Sequence, residues 1–394
     1  MTSFTLLTGL FLCLSPFSLG LNEHYSQRFK HCEPTTYPPS HLVAEKYVLN
    51  LDLPPAERWT GLIERKKEHV VNLIQILKDN LDVFFNGRLF KFIDKYFPYL
   101  AKTLPEPYRD ELAGIAKVAN TSVGEITLYN LFYEIFTFCT SIIVEGENGH
   151  IYHGRNLDFG ILMGWDIQNH TWLVTEALHP LVVEVDFQRG GNTVFKSVNF
   201  AGYIGVLTGM KPDAFSISLD ERFQLNGGYI GILEWIFGKR DQKWAGFLLR
   251  EIMEKVPNFE TAVEKASNAP LLAPVYLIIS GTKPGEGMVI TRDRKKYDLW
   301  RLGQPSFQQI STWFLVETNY DHWKSPPFFD NRRTPAILCL NEQGQKRAGW
   351  EGIYRALSTK PVLNKVTTYT TLMDARNNSM VTYLRDCPDP CAPW

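Results

Sequence analysis

Cys139 opens the β-branched run Thr140-Ser141-Ile142-Ile143-Val144, and after Glu147-Asn148-Gly149 the chain returns through His150-Ile151-Tyr152-His153-Gly154-Arg155-Asn156-Leu157-Asp158-Phe159. A thiol attacks a carbonyl as its thiolate, and a neighbouring cation draws its pKa down from about 8.5. If the two runs pair as a hairpin turning near Gly146 to Gly149, a residue close to Arg155 falls opposite Thr140, which brings Arg155 and Asp158 beside Cys139. Thiol, guanidinium and carboxylate then share one end of a two-stranded unit. No histidine is needed if Cys139 becomes a chain terminus. Cleavage at Phe138-Cys139 frees an α-amine, of reference pKa about 8, that can act as base for its own thiol. The ordinary alternative is a free cysteine at the start of a buried strand.

Four ordered motifs extend this grouping: Cys139-Thr140-Ser141-Ile142, His153-Gly154-Arg155-Asn156-Leu157-Asp158, Glu317-Thr318-Asn319-Tyr320-Asp321 and Asp330-Asn331-Arg332-Arg333-Thr334. Together they resemble the signatures of the family that holds acid ceramidase and N-acylethanolamine-hydrolysing acid amidase, over a span from about Cys32 to Trp394. The resemblance implies an N-terminal-nucleophile hydrolase, translated as an inactive precursor that cuts itself before the cysteine. It also implies an α+β fold, a four-layer αββα sandwich of two antiparallel sheets between helical layers. Carried over residue by residue, it gives active-site roles to Cys139, Arg155, Asp158, Glu221, Asn319 and Arg332. Asp158 would hydrogen-bond the freed ammonium and Arg155 would stabilise the thiolate. Asn319, just past the apolar run Trp313 to Glu317, could donate its amide to a tetrahedral oxyanion. Outside the resemblance, an Arg-Asp pair at a strand end is a surface ion pair contributing about 1 kcal/mol at most. Asn319 would then be a turn residue, and Arg332 a solvated charge.

The activity so implied is hydrolysis of ceramide to sphingosine and a fatty acid. Hydrolysis of N-acylethanolamines is the second reading, and an inactive lipid carrier of the same fold the third. Phe159-Gly160-Ile161, the segment Trp165 to Trp172 and the tail Cys387 to Cys391 look like the ceramidase branch. No cofactor is implied. A substrate this insoluble could be presented by a lipid-carrying helper protein or at an anionic lipid surface. His150 and His153, an odd number apart on one strand, make a poor metal pair. Gly202-Tyr203-Ile204-Gly205 and Asn226-Gly227-Gly228 lack the context of a phosphate cradle and read as bends.

The elements that must position these groups fall into two parts. From Trp59 to about Phe136 the period is helical: Val70, Leu73, Ile74, Leu77, Leu81 and Phe84 share a face, while Lys66, Lys67, Glu68, Lys78 and Asp79 lie off it. A second helix is expected over Arg109 to Ala119, and Ser122-Val123-Gly124-Glu125 is a capping box opening a third through Leu128 to Ile135. The aromatic run from Phe84 to Tyr99 is either core or a lipid-facing surface. Beyond Cys139, strands are expected at Trp172 to Thr175, Leu181 to Phe187, Thr193 to Val198, Ile204 to Thr208, Phe215 to Leu219, Val275 to Ile279, Met288 to Thr291 and Trp313 to Glu317. Helices are expected after Gly228 and over Ala245 to Glu254, Phe259 to Ser267 and Pro335 to Leu340. Strand blocks with helices grouped between them point to α+β layers rather than a βαβ series.

With 44% hydrophobic and 21% charged residues and a formal net charge of -1, the 394-residue chain has no general attraction for nucleic acid or anionic membrane. No apolar run reaches the roughly 20 residues that span a bilayer. Met1 to Gly20, with an apolar stretch from Phe4 to Leu14 and small residues at Ser18 and Gly20, reads as a secretory signal, though no basic residue precedes the apolar stretch. The expected pieces are then 1–20 (signal), 21–138 (helical α-subunit) and 139–394 (catalytic β-subunit), the last two forming a disulfide-linked heterodimer cut from one precursor. Removing the signal leaves Cys32, Cys139, Cys339, Cys387 and Cys391, an odd set in an oxidising compartment. With Cys139 set aside, three pairings remain. The proline-stiffened loop favours Cys387 with Cys391, leaving Cys32 for Cys339, and the family resemblance implies the same pairing. Asn120, Asn169 and Asn377 head glycosylation sequons. The set places the chain in the secretory pathway, and the family resemblance implies the lysosome as its destination, with secretion also expected.

Overall fold

The computed structural model describes residues 32–40, 42–85, 97, 99–132, 137–159, 164–222, 230, 231, 234, 235 and 237–393. The expected signal, the linker 133–136, Gly160 and Ile161, the Asn226-Gly227-Gly228 turn and most of the aromatic run lie outside these residues, as do the side chains of Leu81 and Phe84. Of that run, Phe97 packs against the core and Tyr99 is exposed.

The part before Cys139 supplies one strand and a helical cluster. Strand β1 (Glu45–Asn50) precedes helix α1 (Thr60–Phe85), which buries Ile63, Val70, Leu73, Ile74 and Leu77 at helical spacing. Helix α2 (Tyr108–Ala119) stops at Asn120, whose φ of 56° is the left-handed C-terminal turn that asparagine tolerates. Helix α3 (Val123–Phe132) opens with the expected box, Glu125 N donating to Ser122 Oγ (3.1 Å) and Ser122 N to Glu125 Oε2 (3.0 Å).

Strands β2 (Thr137–Glu145) and β3 (Ile151–Phe159) form the expected hairpin, with Ser141 opposite Arg155 and Asn156, the neighbour of Arg155, opposite Thr140. Next come β4 (Trp165–Asp166), β5 (Thr171–Trp172), α4 (Leu173–Leu178), β6 (Val182–Arg189), β7 (Asn192–Phe200), β8 (Thr208–Lys211) and β9 (Phe215–Glu221). Helices α5 (Ala245–Lys255) and α6 (Phe259–Asn268) precede β10 (Val275–Ser280), β11 (Gly287–Arg292), β12 (Tyr297–Arg301) and β13 (Phe314–Glu317). Helices α7 (Arg333–Gln343) and α8 (Trp350–Ser358) lead into the closing hairpin β14 (Thr367–Asp374) and β15 (Ser379–Leu384).

The larger sheet runs β1-β6-β7-β8-β9-β10-β11-β12 and the smaller β13-β2-β3-β14-β15, antiparallel except for the β1–β6 pair. Ile143, Ile151, Tyr276, Ile278, Val289, Trp300 and Leu315 pack between the sheets, while α5 and α6 cover the larger sheet and α7 and α8 the smaller. The result is the four-layer αββα sandwich. No helix among the described residues is long and apolar enough to cross a membrane.

Two strand expectations fail. Trp172 to Thr175 is mostly α4, because Val174 and Leu178 are buried at i and i+4 and α4 packs on α1, which overrides the local β-branched preference. Ile204 to Val206 joins no ladder. There Ile204 N donates to Asn130 Oδ1 (2.8 Å) and Val206 N to the Gly246 carbonyl (3.0 Å), so helices take the backbone bonds a strand would use. Strands β1, β12, β14 and β15 and helices α4 and α8 were not expected from the sequence.

Candidate active site

On β2 the side chains of Cys139, Ser141 and Ile143 face the larger sheet, as do Ile151, His153 and Arg155 on β3. Cys139 is fully buried, and β2 runs unbroken through it, Thr137 and Phe138 pairing with Phe159 and Asp158. Its backbone N–H donates to Asn319 Oδ1 (2.9 Å), its carbonyl accepts from Arg332 Nη1 (2.6 Å), and its Sγ meets Arg155 Nη2. Three polar atoms of one mid-strand residue are thus held by three distant side chains.

Each of those side chains is fixed in turn. Arg155 Nη1 donates to the Leu207 carbonyl (2.8 Å) and to Thr208 Oγ1 (3.0 Å), a hydroxyl bonded to Tyr369 Oη (2.9 Å). Arg332 forks onto both Asp330 oxygens (2.6 and 2.9 Å) and reaches Asn319 Oδ1 (2.7 Å) and Asp158 Oδ2 (3.1 Å). Asp158 also accepts from Thr367 Oγ1 (2.6 Å). In the unbroken chain Asp158 thus reaches Cys139 through Arg332, while its own ladder partner is Phe138. Asn319 turns its oxygen to the Cys139 nitrogen in the unbroken chain and donates Nδ2 to the Glu221 carbonyl (2.7 Å). Glu221 enters the site by this carbonyl, at the end of β9.

Burial pushes the Cys139 thiol well above its usual range, against the pull of Arg155, so in the uncut chain it is a neutral thiol. Burial likewise raises the Asp158 carboxyl, opposed by Arg332 and Thr367. Arg332 is held more basic than usual: burial works against its charge, but Asp330 and Asp158 outweigh it.

Sequence reasoning passed over Asp220, Ser141, Asp330 and Thr367. Asp330 sat inside the quoted motif, and Ser216, Ser218 and Asp220 alternate along β9 on the face turned to Cys139. His150 precedes β3 and bonds Asp374 Oδ2 (2.9 Å), whereas His153 is buried between Ser216 and Ser218. A metal-compatible spacing occurs among the described residues at Glu176, His179 and Asp386, whose ligand atoms lie within 4.8 Å of one another, two of the three being exposed. Both expected disulfides, Cys32–Cys339 and Cys387–Cys391, are formed, and Cys139 is a free thiol.

Residues 139–335 match the family model for linear amide C–N hydrolases of the choloylglycine hydrolase family, and residues 44–104 that for the beta subunit of N-acylethanolamine-hydrolyzing acid amidase. The acid ceramidase of Homo sapiens is 46% identical over 392 residues, 98% of each chain. This chain belongs to the acid ceramidase family. The Mus musculus acid ceramidase is 48% identical over 369 residues, 92% of this chain and 93% of the relative. A solved Caenorhabditis elegans N-acylethanolamine-hydrolyzing acid amidase ortholog superposes with a TM-score of 0.52 at 33% identity, covering 63% of this chain and all of its own. This member of the ceramidase family is accordingly an amidohydrolase of N-terminal-nucleophile fold.

Proposed function

We propose that this chain hydrolyses the amide bond of ceramide to sphingosine and a free fatty acid, with Cys139 as an N-terminal nucleophile freed by self-cleavage at Phe138-Cys139. The observation that carries the reading is the three-point hold on Cys139 by Asn319, Arg332 and Arg155. A structural cysteine in a strand has no use for it.

In self-cleavage the Cys139 thiol loses its proton and attacks the Phe138 carbonyl, the Phe138-Cys139 C–N bond breaks with its nitrogen taking a proton, and water opens the resulting thioester. The new α-amine then accepts the thiol proton. Thiolate attacks the substrate carbonyl, the ammonium returns the proton to the departing sphingoid amine, and water releases the fatty acid from the acyl-cysteine. Asn319 Oδ1, which already receives the Cys139 N–H, orients that ammonium; Arg155 stabilises the thiolate; Arg332, backed by Asp158 and Asp330, holds the Cys139 carbonyl. Burial of the thiol accords with an uncut form that is inactive.

The mature protein in this reading is the helical piece 21–138 joined to the catalytic piece 139–394 through Cys32–Cys339. Asn120, Asn169 and Asn377 are all exposed, which supports glycosylation and passage through the secretory route, and the acid ceramidase relatives support residence in the lysosome. A second reading, N-acylethanolamine hydrolysis, is favoured by the match of residues 44–104 and by the superposed nematode structure. Fatty-acid release from ceramide and from an N-acylethanolamine, at acidic and at neutral pH, tests both. Faster release from ceramide by the self-cut protein, abolished in Cys139→Ala, is the expected result. Faster release from the N-acylethanolamine moves the assignment to the second reading, and a Cys139→Ala protein that still turns over refutes the nucleophile.

A further inference from the structure

Two groups that can become anions, a thiol and a carboxyl, share one guanidinium beside the nucleophile. Arg155 Nη2 touches Cys139 Sγ and lies 3.6 Å from Asp220 Oδ1, all three residues being fully buried. Asp220 Oδ1 accepts from Ser141 Oγ (2.9 Å), while Asp220 Oδ2 and Arg155 Nε have no partner among the described residues. From Ser141 a line of hydroxyls and one imidazole continues between the sheets: Ser218 (2.8 Å), His153 (3.0 Å), Ser216 (2.9 Å) and Ser280 (2.7 Å). An ionised carboxylate with an unpartnered oxygen is expensive to hold so far from water. Neither self-cleavage nor amide hydrolysis as described above uses it.

We propose that Asp220 is a positioning residue that shares Arg155 with the Cys139 thiol and yields the guanidinium to the nucleophile only while it carries a proton. The proposal rests on Cys139 being the nucleophile. Burial pushes the Asp220 carboxyl up to about 7; Arg155 and the Ser141 hydrogen bond pull it down, Glu317 pushes it up and Arg332 pulls it down. The groups that face it are Cys139 and Ser141 from β2, Arg155 from β3, Tyr276 beside it on β10, Glu317 from β13, Tyr369 from β14 and Arg332 at the entrance to α7. His153 stays neutral, its pKa lowered to about 3 first by burial and then by Arg155. Below about pH 7 Asp220 is uncharged and the full charge of Arg155 is available to the thiolate. Above it the carboxylate claims part of that charge and sets a like charge near Sγ, which disfavours thiolate. Asp220 therefore imposes a fall in activity as pH rises through neutrality.

The test is the pH profile of kcat/KM on one fatty amide for the self-cut enzyme and its self-cut Asp220→Asn and Ser141→Ala variants, with the uncut Cys139→Ala protein as control. Asp220→Asn removes the titrating group, so the ratio of kcat/KM at about pH 8 to that at about pH 5 should rise roughly tenfold, the loss expected over one pH unit above the pKa. Ser141→Ala deprives the carboxylate of a hydrogen bond, so its fall in activity should move to higher pH. Should Asp220→Asn fail to fold, the Ser141→Ala shift decides alone. Equal losses at both pH values, with the wild-type ratio retained, would reduce Asp220 to a structural residue and overturn the proposal. A Cys139→Ala enzyme that remains active is a different result, and it removes the nucleophile reading itself.

Discussion

Replacing Glu111 should loosen the joint between the two pieces of the chain. Glu111, on α2, is fully buried and accepts from Arg250 Nη2 (2.6 Å), Arg250 Nη1, Trp59 Nε1 (2.7 Å) and Arg58 Nη1 (3.0 Å). Arg250, on α5, is equally buried, and Glu111→Ala strands its charge, so the expected destabilisation is about 3–5 kcal/mol. Glu111→Gln keeps the shape and an acceptor and should lose less. The double change Glu111→Leu with Arg250→Met should recover most of the loss, because the uncompensated charge goes too. Urea unfolding in a Cys139→Ala background, where the chain stays whole, reads all three. The competing anion is Glu254, 3.1 Å from Arg250 Nε and slightly exposed. If Glu111→Ala shifts unfolding by less than about 1 kcal/mol, Glu254 balances Arg250 and the argument is wrong.

At Gly154 an added Cβ would stand 2.4 Å from Ile353 Cγ2 and 3.0 Å from Leu372 Cδ2, so Gly154→Ala should lower stability by about 1–3 kcal/mol in thermal unfolding, partly restored by Ile353→Ala. Glu251 is held at about 2: burial opposes its charge, but hydrogen bonds from Lys243 and Lys265 prevail. Its stabilisation is therefore present above about pH 4.5 and lost as pH falls toward 2, and the penalty of Glu251→Gln should shrink over that window in acid titrations of stability. Once cut at Cys139, the protein should run as one band on a denaturing gel without reductant and as two with it, whereas Cys32→Ser should give two bands in both lanes. A single band from the reduced wild type would mean that no cut had occurred.

What was legible in the sequence was local. The hairpin around Cys139 announces itself by a β-branched run and an Asn-Gly turn, and it closes with Gly146 N donating to the His150 carbonyl and Gly149 at a φ of 73°. The capping box at Ser122 and the apolar face of α1 need only neighbours three or four residues away. Asp220 escaped because polar residues alternating along β9 are the usual mark of a solvated face, and here that face meets a second sheet. Thr367 and Tyr369 escaped because they reach the site from β14, more than 150 residues from their partners Asp158 and Thr208. Which end of the Asn319 amide faces Cys139 is not a local property, since it depends on Arg332 and on the Glu221 carbonyl.

Strand β1 belongs to the piece before Cys139 yet forms an outer strand of the larger sheet, six residues from Glu45 to Asn50 lying along Val183 to Gln188. Without it, β6 would present an unpaired row of amides and carbonyls flanked by Val183, Val185 and Phe187, the kind of border on which copies of a chain stack into aggregates. In the proposed two-piece enzyme the part before Cys139 is thus unlike a disposable leader. A gene encoding only 139–394 should yield inclusion bodies, and co-expression with the first piece, rather than its later addition, is the route to an active two-chain enzyme.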